Sequence, residues 1–300
     1  NFKEECKKWN VPQETFNKID FSCYVSTHKY KLDEYSFIIL DEADCISQAN
    51  FEHFDLFDLS HVKILGLTGT YPKEEQDFEK FCFLEKYAPR VFEYHMNDAA
   101  GNITSDYKIT LMPVRLSKTN KYRYYKRSYT EQSFYSFINS KIKNAKEKQR
   151  FALYRDRQRF LSTTQTKTNI IKSLSESLLL QNEKHLIFCG SINQAKEVCE
   201  HSFHSESEGD ELDRFNNGEF LRLSCVDAIS RAVSVNGIQS GIIGKLNSKD
   251  KHFIQKNGRL LRRKDGKPSN MFVIYHSDTQ DEKWLQANLQ EFNKEKISFL

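Results

Sequence analysis

Residues 35–45 read YSFIILDEADC, and in them the apolar run 37–40 is followed directly by Asp41, Glu42 and Asp44. An apolar run rich in β-branched and aromatic residues predicts a buried strand of a parallel sheet. Carboxylates at the carboxyl end of such a strand lie where open α/β sheets bind ligands. One carboxylate there can hold Mg²⁺ against phosphates while its neighbour orients or deprotonates water. A strand that merely ends in an acidic turn fits the same residues, so the remaining chain has to decide.

Two other stretches are predicted to end at the same edge of that sheet. Residues 62–67, VKILGL, predict a strand that leads into Thr68-Gly69-Thr70, a tight loop of small residues. Residues 21–27, FSCYVST, predict a core strand with Thr27 and His28 at its carboxyl end. Hydroxyls and amides at that position can contact a phosphodiester backbone. A turn in which Thr serves as a local cap is an equally good interpretation.

Length and composition indicate a two-domain globular protein. The chain has 300 residues with 38% hydrophobic and 29% charged content, and its net charge of +4 permits a nucleic-acid partner without requiring one. It has no apolar run long enough for a membrane helix. Its seven cysteines form no C-x-x-C pair, so neither a zinc ribbon nor a disulfide framework is indicated, and a reducing, cytoplasmic compartment fits best. Residue 1 is Asn rather than Met, from which we expect that the chain begins inside a longer protein.

A shift in composition predicts where the domains divide. We expect residues 1–116 to belong to a first lobe, 117–165 to form a basic helical linker or insertion, and 166–300 to form a second lobe with a terminal helix. Residues 118–160 contain many Lys, Arg, Tyr and Phe, with neither Gly nor Pro. Basic residues interleaved with aromatic ones can hold a nucleic-acid strand by charge and stacking. An ordinary solvated helix face explains the same residues equally well.

The second predicted lobe contains two further motifs. Residues 185–189, HLIFC, predict a buried strand, and Gly190-Ser191 predict its exit loop before a helix. Further on, Gln255, Gly258, Arg259 and Arg262 share one face if residues 253–263 are helical. Such a cationic face suits phosphate or developing negative charge. A basic surface helix is the alternative, but a Gly inside it costs about 1 kcal/mol against Ala, which favours a packing or functional reason.

Taken in order, these motifs resemble those of superfamily 2 helicases. Asp41-Glu42-Ala43-Asp44 resembles the Walker B segment, and Thr68-Gly69-Thr70 looks like motif III. Phe188-Cys189-Gly190-Ser191 is similar to motif IV, and Gln255-x-x-Gly258-Arg259-x-x-Arg262 matches motif VI. Among members, the chain looks most like phage-type helicases related to branch-migrating and repair translocases.

The resemblance implies an α/β fold with two RecA-like parallel-sheet lobes, joined by the helical basic segment, and with ATP in the cleft between them. By this resemblance Asp41 binds Mg²⁺, Glu42 positions water, and Gly258 lies at the nucleotide. Arg259 and Arg262 act as arginine fingers, with Gln255 near the γ-phosphate. By the same resemblance, the coupling of hydrolysis to movement depends on Asp44, Thr68 and Thr70. The residues implied to contact the nucleic-acid strand are Thr27, His28, Ser191 and Arg231.

The implied activity is an ATP-dependent helicase or translocase, acting on DNA in preference to RNA, in phage replication, recombination or repair within a phage-infected or bacterial cell. Two features depart from the family. No G-x-x-x-x-G-K-[ST] is present, so the resemblance implies a chain truncated before Walker A and inactive alone. In the motif V region, Ala232 and Ser234 stand where members often have Gly and Asp. The motor segment of a larger restriction or remodelling enzyme, or a nucleic-acid-binding scaffold without turnover, remain alternatives.

Overall fold

The structure is a computed structural model, and it divides the chain into two compact units, Asn1–Glu93 and Tyr94–Leu300. It describes residues 7, 10–69, 71–75, 77–93, 100, 105–207, 209–226, 235, 237–247, 268–290 and 292–300. Among these residues, no helix has both the length and the apolar character needed to cross a membrane.

In its described residues, the first unit contains a two-stranded parallel sheet and three α-helices with defined bounds. Its strands are β1 (Phe37–Asp41) and β2 (Lys63–Leu67), and its helices are α1 (Gln13–Phe16), α2 (Gln48–Phe54) and α3 (Phe78–Tyr87). One face of the sheet packs into a core that includes Leu40, Phe54 and Leu84. The other face is not covered, since Phe37 is 50% and Ile39 is 55% exposed. The prediction of a strand at 37–40 is therefore confirmed, whereas the prediction that both of its faces are buried is wrong.

Residues 21–27 do not form the predicted strand. A 3-10 helix spans Tyr24–Lys29, and in it the Thr27 Oγ1 donates a hydrogen bond of 3.0 Å to Tyr24 O. Short hydroxyl side chains that bond to a nearby carbonyl offer the backbone an alternative to a strand ladder. Tyr24 turns inward while Val25 is 84% exposed. This segment of β-branched and aromatic residues therefore forms a turn in which the Tyr24 ring is partly buried.

The second unit is built on a seven-stranded sheet in the order β11-β3-β10-β9-β6-β8-β7, in which every pairing is parallel. These strands are β3 (Tyr107–Val114), β6 (His185–Phe188), β7 (Ser202–Phe203), β8 (Arg222–Cys225), β9 (Ser240–Ile243), β10 (Ser269–His276) and β11 (Ile297–Phe299). The helices of its described residues are α4 (Glu131–Asn144), α5 (Glu147–Ser162), α6 (Gln165–Leu180), α7 (Ile192–Val198), α8 (Glu211–Asn216) and α9 (Gln280–Asn288). The predicted α/β class with parallel sheets is thus confirmed.

The division between units differs from the predicted boundary at residue 116. β3 pairs along its whole length with β10 and also pairs with β11, so it belongs to the second unit rather than to the first lobe. A strand near the middle of the chain can pair with either lobe, and its own residues do not specify the partner. The pairing partner, 162 residues away between Tyr107 and Ser269, sets the boundary.

Residues 117–165 form a packed layer of the second unit rather than a free linker. An antiparallel hairpin of β4 (Lys121–Tyr124) and β5 (Arg127–Thr130) precedes α4 and α5. Phe134 and Phe160 are fully buried between these elements, and the Tyr122 ring contacts both, tilted against Phe134 and edge-to-face with Phe160. Helices are present in the second half of this segment, but residues 121–129, KYRYYKRSY, form the hairpin, so the prediction that they are helical is wrong.

A buried polar network ties four elements together at the carboxyl edge of the large sheet. Lys167 Nζ, on α6, donates to Asp281 Oδ2 on α9 and to Gly244 O, which directly follows β9. The His276 backbone N, at the end of β10, donates to the same Asp281 oxygen, and Thr164 Oγ1 lies 2.7 Å from His276 Nε2. Both charged side chains are fully buried. Burial lowers the pKa of Lys167, and the charge of Asp281 opposes that shift.

Candidate functional site

The predicted acidic residues and the predicted small-residue loop leave the same edge of the first sheet. β1 and β2 are parallel, with Asp41 opposite Leu67, so Glu42 and Thr68 follow side by side. Gly66 in β2 allows this edge to pack closely, because a Cβ there would lie 3.1 Å from Ala88 Cβ. The two strands are neighbours, which is the condition on which the predicted closeness of the two loops depended.

A sharp turn follows the acidic strand. Glu42 adopts left-handed backbone angles, with φ 50° and ψ 52°, and its N donates to Asp41 Oδ1 at 3.1 Å. Such a conformation is uncommon for residues other than glycine and costs of order 1–3 kcal/mol. Strain of this kind is concentrated at functional sites. Asp41 is exposed and Glu42 is partly exposed, so both carboxylates are accessible to a ligand.

Asp44 and Thr68 are brought into direct contact. Thr68 Oγ1 donates to Asp44 Oδ1 at 2.8 Å, across a separation of 24 residues in sequence. This hydrogen bond joins the loop after β1 to the loop after β2. A role for these two residues in coupling hydrolysis to movement stays a prediction.

Tyr24 is a site residue that the sequence did not single out. Its OH donates to Asp41 O at 2.8 Å, and its own carbonyl accepts from Asn50 Nδ2 at 2.7 Å. Burial raises the pKa of Tyr24, and Cys45 and the carboxylates of Asp41, Asp44 and Glu42 act in the same direction. The phenol therefore stays neutral and remains a hydrogen-bond donor. No motif predicts it, because the contact depends on the turn at 24–29 folding back onto β1.

Thr27 and His28 lie on that 3-10 turn rather than at the end of a strand. Thr27 Oγ1 is engaged by Tyr24 O, and His28 Nδ1 lies 3.0 Å from Val25 O. Thr27 lies in a turn, as the alternative interpretation expected, but it bonds within the 3-10 helix and does not cap it, and the predicted location of both residues at a strand end is wrong. A role for them in contacting nucleic acid stays a prediction.

In the second unit, Ser191 occupies the predicted loop between β6 and α7. Its Oγ accepts from Gln194 N at 3.2 Å and caps the helix. Gln194 in turn accepts from Gly190 N at 2.8 Å and donates to Ser162 O at 3.0 Å. A Cβ on Gly190 would lie 2.5 Å from the Ser162 Cβ, so this loop packs directly against the end of α5.

The other predicted site residues lie outside the described residues. They are Thr70, Arg231, Gln255, Gly258, Arg259 and Arg262. The arrangement of the motif VI residues relative to one another therefore stays a prediction.

The donor set at Asp41 is compatible with Mg²⁺. Among the described residues there is no group of three or more His, Cys, Asp or Glu placed to hold a metal. Mg²⁺ does not need one, because it keeps several waters and binds through one or two carboxylates together with substrate phosphates. An exposed Asp41 carboxylate, with its Oδ1 fixed by Glu42 N, suits that mode.

Comparisons with known proteins support the fold without assigning a family. No protein-family model and no curated protein matches the sequence. Among solved structures, the chain is similar to two structures of yeast (S. cerevisiae) Dbp5 bound to RNA and ADP BeF3. One of them carries the L327V substitution and the other does not. Each has a TM-score of 0.57 at 13% identity, over 92% of this chain and 63% of that one.

A third yeast structure, Dbp5 L327V bound to Gle1 H337R and IP6, has a TM-score of 0.52 at 12% identity and covers 92% of this chain and 61% of that one. The chain thus spans less than two thirds of the length of these structures. The likeness shows the fold alone, which is an α/β architecture built on parallel sheets.

Proposed function

We propose that this chain is part of an ATP-driven motor that moves along or unwinds nucleic acid. The observation that carries the proposal is the strained turn that presents Asp41 and Glu42 at the carboxyl edge of β1, with Asp44 bonded to Thr68 on the neighbouring strand. Adjacent carboxylates at this edge, linked to a second loop, are what coupled phosphoryl transfer requires. The likeness in fold to nucleotide-bound Dbp5 supports the same conclusion.

Each residue has a distinct part in the proposed reaction. Asp41 would hold Mg²⁺, which neutralises charge on the phosphates when it is bound. Glu42 would orient the attacking water and accept its proton. Asp44 and Thr68 would pass the change at the phosphates to the loop after β2. From the resemblance, Gln255, Arg259 and Arg262 would contact the γ-phosphate and stabilise its developing charge.

The nucleic acid itself is the less defined partner. The resemblance to phage-type translocases favours DNA, whereas yeast Dbp5 is bound to RNA in two of the similar structures. Thr27, His28, Ser191 and Arg231 are the proposed strand contacts. The cytoplasm of a bacterial or phage-infected cell is the proposed location.

The decisive test is Glu42→Gln in the full-length protein. We expect ATP binding to be retained and turnover to fall by about 10²-fold or more, because the amide cannot accept a proton from water. Turnover is measured with single-stranded DNA, duplex DNA, forked DNA and RNA in turn. Glu52→Gln, an exposed position on α2, is the matched control and should behave as wild type. Turnover that survives in the Glu42→Gln variant would contradict the assignment.

A nucleic-acid-binding scaffold without turnover is the second candidate. A G-x-x-x-x-G-K-[ST] segment is not found in these 300 residues, and this favours a scaffold only if the full-length protein lacks the segment as well. The same assay separates the two candidates: a scaffold binds nucleic acid but shows no stimulated ATP hydrolysis in the full-length wild type. The motor segment of a larger restriction or remodelling enzyme would hydrolyse ATP and would show a nuclease or methylase region in the full-length sequence.

A further inference from the structure

A cleft of about 550 Å³ lies in the second unit, among α4, α5 and the start of α9. It is lined by Tyr135 and Asn139 from α4, Arg157 from α5, and Gln280 and Lys283 from α9. Most of these side chains present amide, guanidinium, ammonium or hydroxyl groups. The cleft is therefore rich in hydrogen-bond donors.

Arg157 holds a positive charge in this cleft without a counter-ion. Its Nη1 donates to Asn139 Oδ1 at 3.0 Å and its Nη2 to Gln280 Oε1 at 3.3 Å, both of them neutral amide oxygens. Within the described part of the chain, no carboxylate lies within 4.0 Å of the guanidinium, and its Nε is buried without a hydrogen-bond partner. A partly buried charge is costly unless it is paired. The fold thus fixes the guanidinium in place through two neutral amides, without a direct ion pair among the described residues.

The environment of the guanidinium supports this description. Burial lowers the pKa of Arg157, and the only opposing influences come from Tyr135 and Tyr154. The guanidinium also lies over the Tyr154 ring at 5.4 Å from the centroid. Arginine nevertheless stays charged in proteins, so the cleft presents a permanent cation.

Two carboxylates also line the cleft, and they restrict the ligand that would fit. Asp278 and Glu282 do not pair with Arg157, and Glu282 Oε2 accepts from the Asp278 N at 2.9 Å. A simple dianion would be repelled by them. A ligand suits both sets of groups if it presents phosphate to Arg157 and hydroxyl or amine donors to the carboxylates, as a nucleotide unit of a strand does.

The cleft lies at the ligand-binding edge of the large sheet. Asp278 follows the carboxyl end of β10 and Ser191 follows the carboxyl end of β6, and only β9 separates these strands. Two interstrand spacings correspond to roughly 10 Å. The cleft and Ser191 thus lie close enough along this edge for one strand to contact both.

We propose that this cleft binds a backbone phosphate of a nucleic-acid strand, with Arg157 as the main contact and Lys283 as a second cation. The proposal rests on the proposed function and adds to it a contact that no sequence motif indicates. A guanidinium suits this task because its planar donors match phosphate oxygens and its position is already fixed by two amides.

The test compares variants of the full chain in binding fluorescein-labelled 20-mers of dT and of U over a series of salt concentrations. Arg157→Gln and Lys283→Gln each remove one cation from the cleft. We expect each to weaken binding severalfold at low salt and to reduce the slope of log K against log salt by about 0.7. Lys172→Gln removes an exposed lysine on α6 outside the cleft and is the matched control, for which no change in slope is expected.

Three results would separate the possible failures. If wild type binds the 20-mers but both cleft variants match Lys172→Gln, the cleft proposal is overturned while the motor assignment stands. If wild type binds neither 20-mer, the proposed function fails as well. If inorganic phosphate binds wild type but not Arg157→Gln, while 20-mer binding is equal in both, the site takes free phosphate and the strand contact is overturned. Lys283 is exposed, so its variant keeps the test valid if Arg157→Gln does not fold.

Discussion

His276 is a buried imidazole whose titration links stability to pH. Burial, together with the positive charge of Lys167, lowers its pKa from 6.5 to about 3. Between these values the unfolded chain binds a proton that the folded protein does not, so stability falls as pH falls through this window. The loss from His276 alone is about 2 kcal/mol at pH 5.

We expect His276→Gln to reduce this pH dependence. Urea unfolding at pH 7.5 and pH 5.0 measures it, and the difference in unfolding free energy between the two pH values should be smaller in the variant by about 2 kcal/mol. Burial also lowers the pKa of His185, so part of the dependence should remain. His61→Gln, at an exposed position, serves as the control. Equal losses in wild type and in the His276 variant would refute the account.

At the same scale, sequence and structure agree on the positions of some candidate residues and not on those of others. Asp41, Glu42, Asp44 and Thr68 were predictable because they directly follow strongly apolar strands, and a parallel pairing then places them at one edge. Tyr24 was not, since its contact with Asp41 requires a turn whose residues are β-rich in composition. Arg157 resembled any other basic residue of α5 until its amide partners were known.

At the scale of elements, the Lys167–Asp281 ion pair joins α6 and α9. Replacing only one residue of this pair should lower stability more than removing both charges. Lys167→Met leaves a carboxylate buried without its cation, which costs about 3–5 kcal/mol. Lys167→Met with Asp281→Asn removes that charge and keeps an acceptor for the His276 N. We therefore expect the double variant to be more stable than the single one.

Urea unfolding of the two variants, together with Lys172→Met as the exposed control on the same helix, tests this coupling. A single variant as stable as the control would show that the pair contributes nothing. A double variant less stable than the single one would show that the ion pair is not the source of the effect.

The elements themselves were predicted best where one pattern dominates. The strand at 37–40 and the strand-loop-helix at 185–198 follow from apolar runs bounded by small residues. The hairpin at 121–130 was missed because its lysines and arginines resemble a solvated helix, and only its alternating tyrosines pack inward. Local composition indicates which side chains face solvent, but the residues against which a segment packs decide whether it forms a strand or a helix.

For the whole molecule, the two units differ in how completely their cores are built. The second unit contains a seven-stranded sheet and three clusters of buried apolar residues. The first contains a two-stranded sheet in which Leu65 and Leu67, like Phe37 and Ile39, are more than a third exposed. The predicted boundary at residue 116 would cut β3 away from β10, so it was the long-range pairing that sequence alone did not specify.

We therefore expect residues 94–300 to fold without the first unit. Its sheet edges and buried clusters are formed from its own residues, whereas a two-stranded sheet with one uncovered face is marginal in water. Circular dichroism during urea unfolding should show one cooperative transition for the 94–300 fragment, at the same midpoint as the more stable transition of the 300-residue chain. A fragment that starts at residue 117 and lacks β3 is the control, and it should be strongly destabilised because β10 and β11 both lose the strand between them. If the 94–300 fragment unfolded without cooperativity, or if the 117–300 fragment were equally stable, the division at Glu93 would not describe the folding units of this protein.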